Sequence, residues 1–153
     1  MSEEGRQQVS EKIVIGLDGS DGSALALRWV LARAAGDVSE VIAVHAIRPM
    51  GEFLLNLPMT GLDHWRENLR WELETEWCKP LAEAGVSYRA VTVEYKAPAV
   101  ALTDVANTEG ADLIVVGAQG HGGVGDRLLG GVGYKLAHIA SQPIVIIPAD
   151  WSS

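Results

Sequence analysis

The sequence predicts a doubly wound α/β domain: a five-stranded parallel sheet with helices on both faces, of the Rossmann-like kind. Three observations predict it. Five short runs rich in Val and Ile punctuate the chain; most lack polar alternation, as strands covered on both faces do; and the segments between them have helix-forming composition and length.

The first run, Ile13–Leu17, is continuously apolar and reads as a strand. A helix over Ser20–Ala35 follows, with Ser20 placed to cap it and Ser23 three positions on. Val41–Ala46 is the second strand. The stretch from Arg48 to Gly61 is too long for an ordinary connection and too apolar for a free linker, which makes it a candidate lid or interface. The helix over Leu62–Ala84 carries the clearest period: Leu62, Trp65, Leu69, Leu73, Trp77 and Leu81 recur at steps of three or four and mark one buried stripe. Trp65 and Trp77 fall on that stripe and read as core; Trp71 falls off it and reads as exposed or at a subunit contact. Glu72, Glu74 and Glu76 alternate along the same helix and read as solvated surface. Tyr88–Tyr95 alternates in polarity and is an edge strand, Ala97–Thr108 a helix, Leu113–Gly117 a buried strand, Leu129–Ala140 a helix and Ile144–Ile147 the last strand.

A chain of 153 residues has room for one domain, expected over 11–149, with tails at 1–10 and 150–153 expected to fray. Twelve basic against twenty acidic side chains give a net charge of −8, which disfavours nucleic acid and anionic membranes as partners, so an anionic ligand has to be held locally. Cys78 is the one cysteine; it has no partner for an internal disulfide and no metal-site spacing, which fits a reducing, cytoplasmic setting. The polar, acidic start lacks the features of an export signal. The apolar-looking stretch from Leu136 to Ala149 is interrupted by Gln142 and Pro143 and is too short to span a bilayer.

In open α/β sheets ligands bind beyond the carboxyl ends of the strands, where the strand order reverses. Two loops there stand out. Leu17-Asp18-Gly19-Ser20 follows the first strand, and the segment from Gly117 to Gly133 holds eight of the seventeen glycines. Glycine allows close backbone approach, so N–H groups of the second loop can converge on an oxyanion beside the start of a helix. The loop is neither a P-loop, because no Lys-Ser or Lys-Thr follows a glycine at the needed spacing, nor a dinucleotide fingerprint, because it does not follow the first strand.

Gly117 and Gly120, nine intervening residues, and then Gly130 form a spacing that closely resembles the glycine signature of ATP-binding universal stress proteins. The segments Val14–Ser20, Val44–Ala46, Ala111–Gly117, Leu128–Gly133 and Ser141–Ile147 match in the same order, so the resemblance covers almost the whole chain. It implies a strand order of 3-2-1-4-5, a homodimer paired through the last strand, Ile144–Ile147, and, in one branch of the family, a bound adenine nucleotide such as ATP. Carried over by position, Leu17 and Asp18 border the adenosine, Ala46 meets the adenine through its backbone, Gly117 and Gly120 line ribose and phosphates, and Gly130, Gly131, Val132 and Gly133 finish the phosphate end. The family's ATP-binding pattern has Ser or Thr at the position of Gly131 and often Ser at that of Gly133. Two hydroxyl donors are therefore missing, which favours weak ATP binding or a nucleotide with fewer phosphates.

Asp18 has several roles open to it: accepting from a ribose hydroxyl or adenine amine, binding Mg²⁺ that bridges phosphates, or capping the helix. Arg127 and Lys135 are candidates to neutralise phosphate, with solvated surface as their default. His45, His64, His121 and His138 are scattered and suggest no catalytic relay; only His121 lies in the glycine loop. A bulky residue at Gly117 is expected to abolish binding while leaving the fold largely intact. The expected function is a stress-response protein that binds an adenine nucleotide and signals through its bound state, without an enzyme's catalytic groups beyond slow hydrolysis. The alternative is an interaction dimer with a vestigial pocket.

Overall fold

A computed structural model describes residues 10–34, 38–47, 59–94, 96–118 and 131–152. Its sheet contains β1 (Glu11–Gly16), β2 (Val38–Ile47), β3 (Tyr88–Glu94), β4 (Leu113–Gly117) and β5 (Ile144–Ile147), all parallel, in the order 3-2-1-4-5. The helices are α1 (Asp21–Ala34), α2 (Met59–Glu72), α3 (Lys79–Glu83), α4 (Pro98–Glu109) and α5 (Gly131–Ile139).

Two apolar layers explain why the central strands read as unbroken runs. Ile13, Ile15 and Leu17 of the first strand and its exit, with Leu113 and Val115 of β4, face Ala26, Leu27 and Val30 of α1 and the buried Leu73, Cys78 and Leu81. Val14, Ile114 and Val116 face the other way, onto Ala99, Leu102 and Ala106 of α4 and Leu136 of α5. Each such side chain, fully buried, contributes about 1.5–3 kcal/mol, so the positions Ile13–Ile15 and Leu113–Val116 tolerate no polar residue on either face. β3 and β5 are the sheet's edges, as the alternation of β3 predicts.

The predicted helix over Leu62–Ala84 begins earlier, at Met59, and is interrupted. Between α2 and α3 lies a π-helical turn, Leu73–Trp77, closed by a hydrogen bond from Cys78 N to Leu73 O at 3.1 Å. The stripe explains it. Leu69, Leu73, Trp77 and Leu81 recur at steps of four, and each such step in a regular α-helix overshoots one turn by about 40°. A wider i→i−5 turn rotates less per residue and brings the stripe back toward the core. Trp71 lies off the stripe and is 58% exposed; Glu72, Glu74 and Glu76 are exposed.

At the amino ends of the strands Arg89 bridges Glu40 (Nε–Oε1, 2.6 Å) and Glu109 (Nη2–Oε2, 2.6 Å), while Lys12 pairs with Glu40 and donates to the Glu109 carbonyl. This network ties β1, β2, β3 and α4 together on the side opposite the carboxyl ends. Trp151 lies within the stretch expected as a tail. Its backbone N–H bonds to Pro148 O at 3.1 Å and its ring packs on the α1 layer, because burying an indole outweighs the freedom of a short tail.

Candidate functional site

The chain reverses its direction of winding at β1, which lies between β2 and β4. The residues leaving β1 make a tightly bonded turn. Asp18 Oδ1 accepts from the Ser20 backbone N–H at 3.0 Å and from the Ser20 hydroxyl. Ser20 Oγ in turn accepts from Ser23 N at 3.2 Å, and the Ser23 hydroxyl donates to Ser20 O at 3.0 Å. Ser20 therefore caps α1, and Asp18 supports the cap. Of the roles open to Asp18, the capping one is visible; its Oδ1 is committed to the turn.

Leu17 enters the site only through its backbone, since its side chain is in the α1 layer. Its N–H donates to Val44 O at 2.9 Å and its carbonyl accepts from His45 Nδ1 at 2.8 Å. The last partners of β1 and β2 are Gly16 and Val44, so Ala46 lies two residues beyond the end of that pairing and keeps Val93 of β3 as its neighbour. Its backbone is thus at the crevice mouth.

Gly117 ends β4. A Cβ built there would lie 2.4 Å from Gly22 O and 2.5 Å from Gly22 C, so the first turn of α1 rests directly on the Gly117 backbone. This corrects the expectation that a bulky residue at Gly117 removes binding and spares the fold. The obstacle is backbone, which cannot rotate away as a side chain can.

Four residues, 140–143, join α5 to β5, so the carboxyl end of α5 lies at the amino end of the sheet. Nine helical residues rise about 12 Å, which returns the amino end, Gly131, Val132 and Gly133, toward the carboxyl side. Gly131 is exposed and a Cβ there meets none of the described residues within 4 Å; Val132 packs on the α4 layer and Gly133 is buried. The structure thus gathers Leu17, Asp18, Ala46 and Gly117 at the carboxyl ends of β1, β2 and β4. Gly120 and Gly130, with His121 and Arg127, lie outside the described residues, as does the stretch 48–58 of the candidate lid. Lys135 is exposed on α5.

Trp77 is the residue that sequence reasoning took only for core. Its ring does pack on the α1 layer, but it also lies against Gly19 and edge-on to His45, with ring centroids 5.0 Å apart. The signal for it was Gly19, a glycine between two polar turn residues. Cys78, beside it, is fully buried; burial first, and the nearby Glu74 charge second, push its thiol up to about 12, so it remains a protonated packing group. Among the described residues no group of three His, Cys, Asp or Glu side chains is placed to hold a metal, and no helix is long and apolar enough to cross a membrane.

A family model for the universal stress protein family matches residues 10–148. The chain belongs to that family. Universal stress protein YxiE of Bacillus subtilis is 29% identical over 147 residues, covering 89% of this chain and 97% of its own. A universal stress protein of Mycolicibacterium smegmatis is 30% identical over 146 residues, covering 90% of this chain but 48% of its own, so this universal stress protein spans about half the length of that relative. Among solved structures, a universal stress protein in complex with cAMP is 26% identical with a TM-score of 0.61, covering 92% of this chain and 98% of its own.

Proposed function

We propose that this universal stress protein binds an adenine nucleotide in the crevice between β1 and β4 and acts in the cytosol as a nucleotide-dependent signalling or interaction module. One observation carries the reading: the Asp18 turn, the Ala46 backbone and the end of β4 converge where the sheet changes its direction of winding, with the amino end of α5 on the same side. That is where an α/β sheet binds ligands, and a helix amino end favours the phosphate of such a ligand. The cAMP complex of a 26% identical relative supports an adenine ligand.

In this reading Leu17, Asp18 and Ala46 hold the adenosine end, through backbone groups and the Asp18 carboxylate. Gly117, Gly120, Gly130, Gly131, Val132 and Gly133 offer backbone N–H groups to ribose and phosphates. Where ATP is the ligand, Asp18 would be the carboxylate of this chain available to Mg²⁺, which would supply neutralisation of phosphate charge. No residue is assigned a catalytic role. The chain pairs with a second copy through β5, an apolar edge that natural proteins cover.

A second reading, an interaction dimer whose pocket takes no nucleotide, is favoured by Gly131 and Gly133, which lack the hydroxyls of the ATP-binding pattern. Calorimetric titration with AMP, cAMP, ATP and adenosine, together with chromatography of small molecules extracted from the purified protein, decides between them. The proposal expects saturable binding of at least one nucleotide; an empty extract and flat titrations with all four establish the second reading.

A further inference from the structure

We propose that Trp77 and His45 form a brace that positions the Asp18 turn for its ligand, and that Trp77 senses occupancy of the crevice. The inference rests on the nucleotide reading and adds two residues to it.

Gly19 has φ +78°, a conformation L side chains rarely adopt, and a Cβ there would lie 2.8 Å and 2.9 Å from Cζ2 and Cε2 of Trp77. The indole therefore fills the space that any other residue at position 19 would claim, and the turn rests on it. Trp77 is the last residue of the π-helical turn, so the register correction in that helix also sets where the indole sits. Its ring meets His45 edge to face, at an interplanar angle of 80°.

His45 closes the brace. A carbonyl oxygen only accepts, so in the bond to Leu17 O the proton is on His45 Nδ1, and Nε2 points away from that bond. Among the described residues neither His45 Nε2 nor Trp77 Nε1 makes a hydrogen bond, although tryptophan N–H groups in such half-buried places usually find a partner. One strand end, one histidine, one indole and one glycine thus fix the path of the chain on both sides of Asp18, and leave two ring nitrogens next to it. A ligand that engages Asp18 moves the turn against the indole.

The test uses the full chain grown with 5-fluorotryptophan, whose five tryptophans give five fluorine resonances; Trp77→Phe assigns one, and the four other Trp→Phe variants assign it by elimination. On titration with AMP the Trp77 resonance should shift along the calorimetric isotherm. That of Trp29, which packs against Arg33 toward the far end of α1, should stay. Trp77→Phe should weaken AMP about three- to tenfold, in the range an aromatic contact supports, and also lower the melting temperature of the free protein, whereas Trp29→Phe, on the same layer, should lower the melting temperature with AMP binding unchanged. Gly19→Ala should weaken AMP more, and adding Trp77→Phe should recover part of that loss, because the smaller ring makes room for the new methyl. If AMP binds in the calorimeter while the Trp77 resonance stays put and Trp77→Phe binds as wild type does, Trp77 is packing alone and the brace is wrong, with nucleotide binding left standing. If AMP, ATP, cAMP and adenosine all fail to bind, both readings fall.

Discussion

Replacing Gly131 by Ser separates a phosphate site from an empty one. Gly131 is the first residue of α5, its N–H is one of the donors a helix leaves unpaired at its amino end, and a Cβ there meets none of the described residues within 4 Å. A serine therefore fits without repacking. In the free protein the change exchanges a poor helix former for a better one, a gain of a few tenths of a kcal/mol, so the melting temperature should move by no more than about 1–2 °C. With a phosphate in the crevice the hydroxyl adds a hydrogen bond to a charged oxygen, about 1.5–3 kcal/mol where fully formed, or about ten- to hundredfold in Kd before the cost of ordering one small side chain. Adenosine has no phosphate for the hydroxyl to meet. Calorimetric titration of wild type and Gly131→Ser with ATP and with adenosine should show tighter ATP and unchanged adenosine. Equal changes for both, or none for either, would refute the placement of phosphate at the start of α5.

Three further outcomes follow from the geometry. Gly117→Ala drives a methyl into the Gly22 backbone and should destabilise by the upper part of the about 1–3 kcal/mol that overpacking costs, lowering the melting temperature by about 4–12 °C; a wild-type melting curve would show that α1 does not rest on β4 as described. Glu109 is held below the ordinary carboxylate value of 4.5 by its hydrogen bond to Arg89, so its contribution is present above that pH and lost as pH falls through the lowered value. Arg89→Met should therefore flatten the loss of stability below about pH 4.5, with the difference from wild type shrinking in high salt, and identical acid slopes would dismiss the pair. Pro143 O and Ile147 O accept from β4, which turns the backbone groups of Ile146 to the open edge; Ile146→Pro should convert a dimer of twofold mass in sedimentation to a folded monomer, and a wild type already monomeric at micromolar concentration would end the edge-pairing reading.

The strands were legible because a parallel sheet with two covered faces needs continuous apolar runs, and Ile13–Leu17 and Leu113–Gly117 have no other reading. The Ser20 cap was legible from residue type alone. The π-helical turn was not read from the sequence, though its cause was in view: a stripe with three successive steps of four cannot stay on one face of a regular α-helix. Trp77 was assigned to the core because periodicity reports which face is buried and says nothing about what lies across from it. Only the fold places Gly19 and His45 there, from two other elements. The same limit applies to Gly117, where spacing along the chain cannot reveal a contact with Gly22, 95 positions earlier.

Gly117 and Gly131 belong to one glycine signature, yet the structure gives them opposite explanations. Gly117 is required by its contact with Gly22, so its glycine is accounted for by the fold with or without a ligand, and it carries no weight for phosphate binding. Gly133 is buried on α5, and its lack of a hydroxyl is likewise compatible with packing alone. Among the described residues nothing crowds Gly131, and helix propensity would prefer another small residue there. Packing against the described residues does not select glycine there. Among the described residues the two functional readings therefore part at that position: either a phosphate meets the start of α5 and an added hydroxyl there strengthens it, or nothing binds there and the hydroxyl has no effect. Gly131→Ala tells these apart where Gly131→Ser alone would not. It adds the same Cβ as serine without a donor, so a nucleotide that Gly131→Ser tightens should bind Gly131→Ala no more tightly than it binds wild type, and an empty pocket's dimer should be unchanged by either.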